Sequence, residues 1–368
     1  MRALRIGLRP AQRFAAAYIQ RVRFSLSLPT IRDPGAADPY AETYALAEIA
    51  EEEGFHTATI GHHHFMPGNQ SDPLTFLATV AARTSSLRVG TGIFLLPAHH
   101  PVRVAEQVAT IDQISGGRIS LGVGSGWWPL EYEVHGSNFR ERGARMEEAL
   151  EILRHVWTTE ETGWEGRFWA FPALTVHPRP VQDPHPPLWV AGVADAAVER
   201  AARLGDAWLC GPVQSIGKAK SCLDVYRSAC RTQGRSPEWI LRRFAWVGSD
   251  RAQISSEILP RYVEGLLAHW RESAEDEVEK ALFARLDSGQ QISPDEIAAD
   301  RLLWGTPEDV IGQIQRYRRE TGCDHVHAAF GAGMPARESD YSTLGEFEEQ
   351  AKMIRLFGRE VIPEFRGS

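Results

Sequence analysis

Residues 87–124 read LRVGTGIFLLPAHHPVRVAEQVATIDQISGGRISLGVG. Two runs of β-branched and aliphatic residues, 87–96 and 118–124, flank a helical stretch that starts at Pro101. Proline suits the first turn of a helix, where its missing N–H has no partner to lose. Strand, helix and strand make one repeating unit, and the rest of the chain continues it. Upstream, VRFSLSL (22–28) precedes a helix over Tyr40–Glu53 that stops at Gly54, and TATIG (57–61) precedes a helix opened by Asp72 and Pro73. Downstream, a long helix over Arg140–Trp157 follows the 118–124 run. LWVAG (188–192), DAWLC (206–210), LRRFAWVG (241–248) and DHVHAAF (324–330) supply the other strands, with helices to Leu204 and over Ser215–Gln233. Eight β-then-α units are the arithmetic of an α/β fold of the (β/α)8 TIM-barrel kind; a doubly wound open sheet usually has fewer strands.

Working outward, residues 22–366 are expected to form one barrel domain with two excursions. Residues 158–187, rich in proline, glycine and aromatics, read as a surface hairpin, and 250–304 as extra charged helix before the eighth strand. On a barrel, insertions at the carboxyl ends of strands roof the active site, so both are expected to shape a substrate pocket. Residues 1–21 are arginine-rich, with no acid before Asp33. They read as a disordered extension ahead of the first strand, with a targeting peptide as the alternative.

The 368 residues carry 40 basic and 48 acidic side chains, a net charge of −8. That balance gives no general attraction to nucleic acid or anionic lipid. No apolar run approaches the roughly 18–20 residues of a membrane helix. Hydrophobic residues at 43% and charged residues at 24% exclude a disordered or coiled-coil chain. Cys210, Cys222, Cys230 and Cys323 are scattered, as reduced thiols in a cytoplasm would be.

Catalytic residues of a barrel sit at the carboxyl ends of its strands. IGHHHF (60–65) is the richest such place. Alternation puts His62 and His64 on one face and His63 on the other, and a second pair, His99 and His100, follows strand three. Neighbouring loops would bring the two groups together. A metal-dependent barrel hydrolase, using these with His325 and His327, is one alternative. The ends of strands four, five and six (GSGWW, VAGVA, LCGPV) offer no ligand-type residue, so no metal is expected. Gly122, Gly124 and Gly126 at the end of strand four would let a planar ligand lie on bare backbone, walled by Trp127 and Trp128. At 192–195 a turn leads into an alanine-rich helix whose free N–H groups suit a phosphate, with Asp195 as its N-cap.

From about Val22 to Arg366 the chain resembles the bacterial luciferase-like superfamily of flavin- or deazaflavin-dependent oxidoreductases. The resemblance is carried in order by EEEGFHTATIGHHHF, the 87–127 stretch, PPLWVAGVADAAVERAARLGDAWL, WGTPEDVIGQIQRYRRETGCDHVHAAFG and MIRLFGREVIP. It implies a barrel, usually dimeric, with the flavin at the carboxyl ends of the strands. It implies that His63 is the active-site histidine and that a non-proline cis bond joins Gly92 to Ile93 under the flavin ring. Gly124 and Ser125 would meet the ring's edge, His100 would stand beside the cofactor, and Gly192, Val193, Ala194 and Ala196 would hold the phosphate. Phe65, Phe94, Trp127 and Trp128 would form the substrate pocket.

Several positions depart from the family pattern. His62 replaces a usual glutamate, and Val193 and Ala196 replace phosphate-binding hydroxyls. Pro67 and Trp127 stand where the deazaflavin dehydrogenase branch has a tryptophan and an acid. The last two departures favour reduced FMN and O2 over the deazaflavin coenzyme F-420. The expectation is a two-component monooxygenase acting on a small neutral organic substrate, served by a separate flavin reductase. Its alternatives are deazaflavin-dependent hydride transfer and a flavin-binding protein without turnover.

Overall fold

The computed structural model describes residues 22–29, 37–66, 69–212, 214–270, 277–331 and 347–366; the 1–21 stretch and Pro67 lie outside them. In chain order the strands are β1 (Arg23–Ser27), β2 (Thr57–Ile60), β3 (Arg88–Thr91), β4 (Ile119–Val123), β5 (Thr162–Glu165), β6 (Ala170–Leu174), β7 (Leu188–Ala191), β8 (Ala207–Leu209), β9 (Trp239–Val247), β10 (Leu302–Gly305) and β11 (His325–Phe330). Eight of them are hydrogen-bonded in parallel in the order β11-β1-β2-β3-β4-β7-β8-β9, and β9 closes the ring by pairing with both β8 and β11. These are the eight strands expected from the sequence.

The strands alternate between two environments. In β1, Phe24 faces outward against the rings of Phe357 and Phe365, while Ser25 is hydrogen-bonded to His325 of the neighbouring β11 at 2.6 Å. Thr59 on β2 likewise meets His327 Nε2 at 2.7 Å. Trp189, Ala207, Leu209 and Ile240, with the half-buried Ile93 and Ala191, form a separate apolar cluster contributed by β7, β8, β9 and the segment after β3. Side chains from both sets pack the barrel's centre, so it is a core rather than a channel.

The outer layer holds α1 (Ala41–Glu52), α2 (Pro73–Arg83), α3 (Pro101–Ser115), α4 (Pro129–Val134), α5 (Arg142–Thr158), α6 (Asp195–Leu204) and α7 (Ile216–Thr232). It continues with α8 (Arg251–Gln253), α9 (Leu259–Trp270), α10 (Glu277–Asp287), α11 (Pro294–Ala298), α12 (Pro307–Thr321) and α13 (Phe347–Leu356). Asp72 caps α2 by accepting from the Thr75 N–H at 3.2 Å. Asp195, by contrast, is the first helical residue of α6; Ala194 occupies the cap, and no side chain caps it. No helix among the described residues is long and apolar enough to cross a membrane.

Two expectations about the excursions change. Residues 250–304 do follow the carboxyl end of β9, but they end in a strand, β10, whose four residues pair with Phe244–Val247 of β9. Residues 158–187 contain the expected antiparallel hairpin, β5–β6, yet they do not roof the catalytic face. They connect α5 to the start of β7, and the hairpin packs along α5, where Glu148 accepts from the Phe168 and Trp169 N–H groups. The irregular segment that returns from the hairpin passes beneath the barrel. Arg88 at the start of β3 donates to Gln182 Oε1, and Gln182 donates to the Ile119 carbonyl at the start of β4. Chain order decides this: a segment after a helix and before a strand emerges at the amino-terminal face.

Candidate active site

At the carboxyl end of β2 the chain turns through Gly61–Phe65. His62 and His64 project to one side, their rings 4.5 Å apart, and His63 to the other, as alternation requires. His63 Nδ1 lies 3.2 Å from Glu131 Oε1, its main chain donates to the Gln70 carbonyl, and its ring meets Trp127 edge to face at 6.1 Å. Its side chain is 27% exposed and that of Glu131 is fully buried. The same Glu131 oxygen accepts from the His64 N–H at 2.9 Å. A carboxylate can only accept, so the His63 proton is fixed on Nδ1 and Nε2 is left free to hold or pass one.

Glu131 is the residue that sequence reasoning missed. It sits in the first turn of α4, a helix of six residues opened by Pro129. The surrounding segment, WPLEYEVHG (128–136), carries no apolar helical pattern. The signal available was an acid in the turn after a proline, just past the carboxyl end of strand four.

A Cβ on Gly124 would lie 2.9 Å from Ile93 Cδ1, and one on Gly92 would lie 2.9 Å from Thr59 Oγ1. Side chains already stand where each Cβ would be, so close packing by itself requires glycine at both positions. What the carboxyl end presents is Ile93, half-buried above the apolar cluster, with Ala191 beside it. The Gly92–Ile93 peptide is cis, as the resemblance implied. Ser125 is partly exposed and its carbonyl accepts from the Tyr132 hydroxyl.

Among the aromatics, Trp127 is 54% and Phe65 51% exposed, and Trp128 stacks on Trp127 with centroids 6.5 Å apart. Phe94 is not with them. It is 3% exposed, packed between His62 and His99 at 4.8 and 4.7 Å, and shows the rim no face. His100 is exposed at the start of α3. Gly192 is half-buried, and Val193, Ala194 and Ala196 are exposed in the turn and first residues of α6. The Ala197 and Val198 N–H groups already bond to the Ala194 carbonyl, leaving those of Ala194 to Ala196 for an anion.

His325 and His327, paired with Ser25 and Thr59 in the barrel core, are apart from these groups, so they supply no ligand to the rim. His99 does join the first group: ligand nitrogens of His62, His64 and His99 all lie within 4.8 Å of one another. Burial, reinforced by neighbouring imidazoles, pushes His62 down to about 2 and His99 to about 4, and lowers His64 as well.

A profile of luciferase-like monooxygenases matches residues 22–325, and the chain belongs to that family. It is 29% identical over 343 residues, 89% of this chain and 91% of the relative, to the oxygenase component of a flavin-dependent trigonelline monooxygenase from Acinetobacter baylyi. Among solved structures, monooxygenase RslO1 from Streptomyces bottropensis superposes with a TM-score of 0.73 at 28% identity, covering 93% of this chain and 99% of that one. The oxygenating constituent of 3,6-diketocamphane monooxygenase from Pseudomonas putida, solved with FMN, gives 0.73 at 20% identity over 94% and 99%, a likeness of fold. The chain is an oxidoreductase of this family.

Proposed function

We propose that this chain is the oxygenase of a two-component system, taking reduced FMN from a separate reductase and using O2 on a small organic substrate. The observation that carries the reading is the His63–Glu131 pair at the rim of an apolar floor. The residues present fit FMN: Ile93 and Ala191 offer a flat apolar support, and the exposed start of α6 offers backbone N–H groups for the phosphate. Val193 and Ala196 have no hydroxyl to add, so those amides and the helix dipole are the phosphate's donors. Reduced FMN, when bound, supplies the electrons that activate O2. His63, fixed by Glu131, holds or passes a proton at Nε2, and Trp127, Trp128 and Phe65 exclude water. A homodimer and a reducing cytoplasm complete the reading; the four buried free thiols suit the latter.

The test is binding of reduced FMN and of reduced coenzyme F-420 to purified protein, then exposure to O2. FMN binding, with reoxidation of the bound flavin slowed or speeded by about a hundredfold in His63→Ala and flavin affinity kept within a few-fold, supports the proposal. Binding of the deazaflavin alone refutes it. Reoxidation unchanged by His63→Ala points to a flavin-binding protein without turnover.

A further inference from the structure

The function above uses His63 and leaves its two neighbours without a task. His62 and His64 turn away from the rim toward His99, on the segment after β3, and the three rings crowd together with centroids 4.5, 5.4 and 5.6 Å apart. His62 Nε2 and His64 Nε2 are 2.9 Å apart, and His99 Nε2 is buried with no hydrogen-bond partner. A fourth imidazole, the exposed His135 at the end of α4, stands against His64 at 4.2 Å. We propose that His62, His64 and His99 form a binding site for a zinc-class divalent transition metal, beside the flavin site and separate from it.

Three arguments support the site. Tetrahedral zinc with imidazole nitrogens about 2.0–2.1 Å away separates its ligands by about 3.3 Å, so nitrogens already within 4.8 Å of one another need only small ring turns. The donor set is all imidazole, which selects zinc, nickel or copper over magnesium or calcium. The fourth position opens toward His135, which gives the ion an entry path and either a fourth ligand or a water. Two contacts must give way. The Leu95 N–H donates to His62 Nδ1 at 3.2 Å, which places the His62 proton on Nε2, between the two rings. The ion takes that place, ending the 2.9 Å bond between the rings, and the proton moves to Nδ1, where the His62 ring must turn away from the Leu95 N–H because two donors cannot pair. In return the ion ties the loop after β2 to the segment after β3, bracing His63 between two of its ligands.

Tag-free, chelator-stripped protein is titrated with Co2+ and followed by visible absorption, then with Zn2+ against a chromophoric chelator. The expected result is one ion per chain, cobalt bands of low-coordinate type that Zn2+ abolishes, and affinity weakened at least about tenfold by His99→Gln and by His62→Gln. Absence of cobalt bands in the native protein, or variants that bind like the native chain, overturns the proposal. The cobalt spectrum needs no variant, so a misfolded His62→Gln leaves the test intact. Reduced-FMN binding, measured on stripped protein, succeeds or fails independently of it.

Discussion

Replacing Glu131 by glutamine keeps the shape of a fully buried side chain and removes its charge. Glu131 Oε1 accepts from His63 Nδ1 at 3.2 Å and from the His64 N–H at 2.9 Å. At that separation a carboxylate and an imidazolium interact by about 5 kcal/mol at an effective dielectric constant near 20. An amide oxygen still accepts both hydrogen bonds, so only the charge-assisted share is lost, about 1.5–3 kcal/mol, or ten- to a hundredfold in rate. Stability should barely move. Glu131 Oε2 is buried with no hydrogen-bond partner, so the desolvation that neutralising the group saves is offset by the cost of an unpartnered Gln Nε2 in its place. The assay is stopped-flow reoxidation of bound reduced FMN, comparing Glu131→Gln with His63→Ala and the native chain, beside urea unfolding. Glu131→Gln should reproduce most of the His63→Ala effect while unfolding within about 1 kcal/mol of the native protein. Reoxidation within twofold of native would refute the positioning role, and a loss of rate matched by a loss of stability would show that Glu131 only holds the loop together.

Gly124→Ala drives a Cβ to 2.9 Å from the Ile93 side chain, an overpacking of about 1–3 kcal/mol; a lower melting temperature and weaker reduced-FMN binding are expected, and a lower melting temperature with FMN binding unchanged would show that Ile93 is not the flavin's support. Asp112 is fully buried and accepts from the Val181 and Gln182 N–H groups at 2.6 and 2.9 Å and from Gln182 Nε2 at 2.7 Å. Asp112→Ala orphans these donors, so unfolding should fall by about 3–5 kcal/mol with faster proteolysis within 158–187. Burial alone would raise the Glu51 carboxyl, but the N–H groups of Ser86, Leu87 and Ser85 outweigh it and hold the group at about 2, below its ordinary 4.5. A carboxylate depressed in the fold stabilises above its unfolded value and loses that contribution as pH falls through the folded one. Between pH 4.5 and about 2 the native chain should therefore lose more stability than Glu51→Gln, and parallel curves would contradict the assignment.

The barrel was legible because its signals are local. A strand of three to nine residues, a proline or aspartate at a helix start and a glycine at its end each act within a few residues, and eight repetitions leave few other architectures. The 62–64 histidines were legible by position, at the carboxyl end of a strand with His63 on the opposite face from His62 and His64, while singling out His63 came from the family resemblance. β10 was not, since LLWG is four residues long and carries no alternation; it is a strand because Phe244–Val247 leaves an unpaired edge for it.

The sequence by itself thus determined the order of strands and helices, the face on which each histidine stands, and the residues able to carry a proton. Tertiary structure alone decided which of them meet. Glu131 lies 68 residues from His63 and His99 lies 35 residues beyond His64, and no local rule couples such distances. The sequence reads Gly124 only as room for a ligand, whereas the fold also sets Ile93 against it, and Phe94 reads as a pocket wall but is buried between two histidines. Whether a small residue makes room for a ligand or for a neighbour depends on what the closed barrel brings against it, and closure is a property of all eight strands at once.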